Sequence, residues 1–102
     1  PQLNEILNKI ETNSGELNLS GNNINDEQLS TIIAAIKNNP NIKELNLSKN
    51  NITQDSVEKL ISLVSCGKIE KLDVSHNKLG CSAEILAARS YEFVNYINVS
   101  SN

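Results

Sequence analysis

The stretch Ile42-Lys43-Glu44-Leu45-Asn46-Leu47-Ser48-Lys49-Asn50-Asn51-Ile52 decides the reading of this chain, because its spacing of apolar residues and Asn returns on both sides of it. One period earlier stands Ser14-Gly15-Glu16-Leu17-Asn18-Leu19-Ser20-Gly21-Asn22-Asn23-Ile24, and one later Ile69-Glu70-Lys71-Leu72-Asp73-Val74-Ser75-His76-Asn77-Lys78-Leu79. A fourth copy, Val94-Asn95-Tyr96-Ile97-Asn98-Val99-Ser100-Ser101-Asn102, runs to the last residue. Self-similarity at a fixed period marks an array of stacked units, none of which buries its apolar face alone.

Side chains alternate along a strand, so Leu17 with Leu19, Leu45 with Leu47, Leu72 with Val74 and Ile97 with Val99 form two inward ladders. The intervals Leu17 to Leu45, Leu45 to Leu72 and Leu72 to Ile97 are 28, 27 and 25 residues, enough for a helix on each return path. Leu29, Ile32, Ile33 and Ile36 form one helical stripe, opened by Asn25 as cap with Gln28 three residues on. Val57, Leu60, Ile61 and Val64 repeat that stripe, with Asp55 and Glu58 as the expected capping pair. The third return, Ser82 to Tyr91, is Ala-rich and less periodic, and a shortened helix is expected there. At the start, Leu3, Ile6, Leu7 and Ile10 share one helical face that can cover the first repeat.

The repeats resemble the leucine-rich repeat, L-x-x-L-x-L-x-x-N-x-L. Their strand-helix alternation resembles the ribonuclease-inhibitor-like class and, more loosely, cytosolic or effector-type bacterial proteins with such repeats. The resemblance implies an α/β fold: a leucine-rich repeat solenoid with parallel strands on the concave face and helices on the convex face. One domain over 1–102 is expected, with a capping helix over 1–13 and about three and a half repeats over 14–102. Asn22, Asn50, Asn77 and Asn102 take the repeat's Asn position, where an amide can bond backbone groups that the turn removes from the ladder.

The net charge of −3 comes from mixed Lys, Asp and Glu without a basic block, so neither nucleic acid nor an anionic membrane is an expected partner. No apolar run approaches the ~20 residues that span a bilayer. Cys66 and Cys81 lie in no metal or redox spacing and are expected as small buried residues. Sequons begin at Asn18, Asn46, Asn51 and Asn98, three of them on the expected strands, where glycans would cover the sheet. That argues for a cytoplasmic setting, or a host cytosol if the chain is a delivered effector.

No catalytic motif, cofactor loop or metal-ligand spacing stands out. His76, the single His, falls at a variable turn position equivalent to Gly21 and Lys49, and Arg89, the single Arg, falls on the weakly periodic third return. A binding surface is expected where strand residues point away from the core. One column there reads Glu16, Glu44, Lys71, Tyr96 and the next Asn18, Asn46, Asp73, Asn98; a third, Ser20, Ser48, Ser75, Ser100, reads as spacing along the edge. The expected function is non-enzymatic binding of a protein partner through the first two columns. The alternative implied by the resemblance is a GTPase-activating-like regulator of a small GTPase, to which no residue carries over. Ile97 and Val99 lack a covering helix in the sequence, so the chain is expected either to be a fragment of a longer array or to self-associate through that end, unless Tyr91, Phe93 and Tyr96 shield it.

Overall fold

The computed structural model describes residues 2–66 and 68–102. Four strands, β1 (Gly15–Asn18), β2 (Ile42–Asn46), β3 (Lys71–Asp73) and β4 (Tyr96–Asn98), form one parallel sheet in the order β1-β2-β3-β4. Helices α1 (Gln2–Thr12), α2 (Asp26–Lys37), α3 (Val57–Ser65) and α4 (Ser82–Ser90) alternate with them, and each packs on its neighbour. Parallel neighbours need a crossover, and the helices supply it. The array measures 32 × 26 × 17 Å. Four strands ~4.8 Å apart span only ~15 Å, so the helix layer contributes as much to its shape as the stacking axis does.

The register pairs Leu17 with Leu45, Leu45 with Leu72 and Leu72 with Ile97, which builds the first inward ladder. Leu17, Leu19, Leu45, Leu47, Leu72 and Val74 are buried, whereas Ile97 and Val99 are half-buried against the same core. The expected stripes of α2 and α3 face inward, joined by Leu63. In α1, Ile6 and Ile10 are buried with Leu3 and Leu7 at the margin.

Hydrogen bonding between repeats continues beyond the strands. Leu19 N donates to Asn46 O, Leu47 N to Asp73 O and Val74 N to Asn98 O; one turn further, Gly21, Lys49 and His76 donate to the carbonyls of Ser48, Ser75 and Ser100. The chain then bends sharply at a left-handed residue in every repeat: Gly21, Lys49, His76 and Ser101 have φ of 69°, 58°, 55° and 58°. A left-handed residue costs roughly 1–2 kcal/mol when it carries a Cβ, so three of the four repeats hold this bend against local preference. His76 is thus a solvent-exposed bend residue.

Four local expectations need correction. Asp55 and Glu58 do not cap the second helix. A 3-10 turn, Gln54–Ser56, precedes α3, and Thr53 caps it by accepting from Asp55 N. The third helix is not shortened relative to the second, since α3 and α4 each have nine residues. It is instead thinner in content, burying Ala83, Leu86 and Ser90 and leaving Ile85 exposed. Both cysteines are exposed, because Cys66 closes α3 and Cys81 precedes α4, at helix ends outside the apolar stripes. Tyr91, Phe93 and Tyr96 do not form a cover: all three rings are exposed, Tyr91 by 81%.

The capping box of α2 is present as expected, with Gln28 N donating to Asn25 Oδ1 and Asn25 N to Gln28 Oε1. Its next residue does something the sequence did not suggest. Asp26 reaches into the following repeat, where its carboxylate accepts from Thr53 N at 3.0 Å, Thr53 Oγ1 at 2.6 Å and Ser56 Oγ at 2.5 Å. Burial pushes this carboxyl up, but the bonds from Ser56 and Thr53 and the charge of Lys59 outweigh it and hold its pKa below the ordinary 3.8. A folded-state pKa below the unfolded value adds stability above about pH 3.9, which is lost as pH falls through the folded value. Asp26→Asn should therefore destabilise the chain at pH 7, and the gap to the parent should close in chemical melts run stepwise below pH 4. A gap independent of pH would assign the effect to shape rather than charge.

Candidate functional site

The outward columns of the sheet lie in register, Glu16 beside Glu44, Glu44 beside Lys71 and Lys71 beside Tyr96, with Asn18, Asn46, Asp73 and Asn98 in the next row. All eight expected binding residues thus stand on one face. Six of them, all but Asn18 and Asn98, line a shallow hollow of about 120 Å³ whose floor includes Leu45 and Leu72 and whose wall includes Tyr96. In the first row the one ion pair among described residues joins Lys71 Nζ to Glu44 Oε1 at 3.6 Å. Both partners are largely solvated, and exposed pairs of this kind contribute about 0–1 kcal/mol. Packing does not require the first row.

The second row has a structural duty as well. In every repeat its Oδ1 accepts the N–H two residues on: Asn18 from Ser20, Asn46 from Ser48, Asp73 from Ser75 and Asn98 from Ser100, at 2.9–3.0 Å. These Asx turns end each strand and start the left-handed bend. The Ser column supports them, with Ser48 Oγ and Ser75 Oγ donating to the same oxygens and Ser48 Oγ also lying 2.9 Å from Ser20 Oγ. The triplet Asn/Asp-x-Ser carried that signal in the sequence, and the reading by columns passed over it.

Behind the bend runs a ladder of amides, buried at Asn50 and Asn77 and half-buried at Asn102. Asn50 Nδ2 faces the carbonyls of Leu19, Leu47 and Ser48, and its Oδ1 accepts from Asn22 N and Ile24 N. Asn77 repeats this with Leu47, Val74 and Ser75 and accepts from Ile52 N; Asn102 does so with Val74, Val99 and Ser100 and accepts from Leu79 N. Each amide therefore satisfies backbone groups of its own repeat and of the one before. Among four stacked units built this way, with parallel strands, apolar ladders and a shared Asn, the fold is settled.

The architecture is that of a leucine-rich repeat solenoid. A family model described as Leucine Rich repeat matches residues 16–32 and 38–60, which run from β1 to the middle of α2 and from just before β2 into the first turn of α3. No curated protein and no solved structure matches the chain. Leucine-rich repeats are protein-binding platforms in general, and the family is typically non-enzymatic.

Elsewhere the chemistry is sparse. No group of His, Cys, Asp or Glu among the described residues could hold a metal ion, and no described helix is long and apolar enough to cross a membrane. Arg89 lies on the helical side, where its Nη1 is 2.9 Å from Glu58 Oε2 in an exposed pair. That pair rims a cleft of about 650 Å³ lined from α3 by Ile61, Ser62 and Ser65 and from α4 by Ala88.

Proposed function

We propose that the chain is a protein-interaction module of the ribonuclease-inhibitor-like class that binds its partner through the concave sheet face, acting in a cytosol. The observation that carries this reading is the first outward row. Glu16, Glu44, Lys71 and Tyr96 sit in register on four hydrogen-bonded strands, change along the row from acidic to basic to aromatic, and perform no packing task. The inward apolar positions and the turn-closing Asn or Asp and Ser are alike from repeat to repeat because the ladders and turns require them. Variable chemistry on a rigid, evenly spaced platform is what a specific partner needs, with Tyr96 as the aromatic anchor that interface centres favour. The alternation of each strand with a full helix supports the class, and the position of three sequons on this face supports the setting.

Peptides selected against the chain from a random display library test the reading. The combined variant Glu16→Ala, Glu44→Ala, Lys71→Ala and Tyr96→Ala should melt close to the parent, since exposed substitutions shift stability by about 0.5 kcal/mol or less each. It should nevertheless bind the selected peptides at least about tenfold more weakly, a loss of about 1.4 kcal/mol. Peptides that keep full affinity for the variant would move the site to the helices.

A further inference from the structure

The second outward row holds one residue whose charge the fold does not use. Asp73 stands where the other repeats have Asn18, Asn46 and Asn98, and all four close the same Asx turn through Oδ1. An amide oxygen does this work as well as a carboxylate oxygen, as the three sister turns show. The negative charge of Asp73 is therefore surplus to the turn. Its Oδ1 also takes Ser75 Oγ at 2.7 Å, whereas no donor among the described residues reaches Oδ2.

The surroundings of Asp73 give that charge a direction. It lines the hollow together with Glu16 and Glu44, three carboxylates against the single ammonium of Lys71, and Lys71 pairs with Glu44 at 3.6 Å. Tyr96 closes the same hollow with a ring half exposed to solvent. A hollow of about 120 Å³ has room for one long side chain, and its walls offer a carboxylate for a cationic head and an aromatic face for the head or its stem. A guanidinium suits both walls, since it is planar and can bond a carboxylate while stacking on a ring.

We propose that this hollow is a receptor for a basic side chain, arginine above lysine, presented by the protein partner. The inference rests on the concave-face reading and adds what the partner must carry. Charge complementarity selects the occupant: an acidic or phosphorylated segment would meet three carboxylates, and an apolar one would bury Asp73 Oδ2 unpaired.

The test uses the same library-selected peptides. Binders to the parent chain should share an Arg or Lys at one position, replacement of that residue by Gln should weaken them at least about tenfold, and Asp73→Asn should weaken them comparably. Asp73→Asn keeps the turn, so its melting curve should match the parent and separate binding from folding. Binders without a common basic residue, or with undiminished affinity for Asp73→Asn, would overturn the inference. If those same binders still fail on the four-residue variant, the concave-face reading stands without it. If they bind that variant normally, or if the library yields no binder, both fall.

Discussion

Asn50→Ala should destabilise the chain by about 3–5 kcal/mol, as several buried backbone groups lose their partner at once and each costs about 1–3 kcal/mol unpaired. The side chain is buried and placed between two repeats: its Oδ1 holds Asn22 N and Ile24 N, and its Nδ2 is shared among the carbonyls of Leu19, Leu47 and Ser48. Leu47 O keeps a second donor in Asn77 Nδ2, but Ile24 N belongs to a fully buried residue that solvent does not reach. Asn102→Ala should cost less, about 1–2 kcal/mol, because that amide is half-buried and water can replace part of its bonding. Urea unfolding of both variants checks the order. Equal losses would mean that burial of the ladder does not set its strength.

Leu47→Ala should cost about 2–5 kcal/mol from lost transfer energy and the cavity left behind. Leu47 is fully buried, with the side chains of both adjacent repeats stacked against its ladder position, so little can move to fill the space. Against a total of roughly 5–15 kcal/mol for a domain, either substitution removes a large share. The denaturant midpoint should fall while the slope stays constant, the mark of a change in stability alone. A changed slope would instead show repeats unfolding separately, a behaviour open to stacked arrays.

The two substitutions also differ in what they reveal about the array. Leu47 acts through contact with its neighbours in space, whereas Asn50 acts through backbone groups of residues 22 and 24 in the preceding repeat. A double variant of Leu47 with Leu19, neighbours in the same buried ladder, would report the side-chain coupling between the first two repeats.

The sequence by itself determined whatever depends on spacing along one strand, one helix or one period. Alternation fixed the inward ladders, the 3.6-residue stripe fixed the buried faces of α2 and α3, and Asn25 with Gln28 fixed a cap that closes within four residues. The period itself aligned Glu16, Glu44, Lys71 and Tyr96, so most of the candidate surface was legible before any coordinates. Only the tertiary structure decided what depends on one repeat lying against the next. Asp26 meets Thr53 and Ser56 across 27 and 30 residues, a contact no local pattern encodes, and it accompanies a 3-10 turn where an Asp55 cap was expected. Burial of Cys66 and Cys81 could not be read from residue type, because both fall at helix ends beyond the packed stripe. The surplus charge of Asp73 emerged in the same way: its turn is local, but the hollow it faces is lined from all four strands. Local hydrogen bonds and periodicity are properties of a segment, whereas exposure and charge balance belong to a surface that exists only once the repeats have stacked.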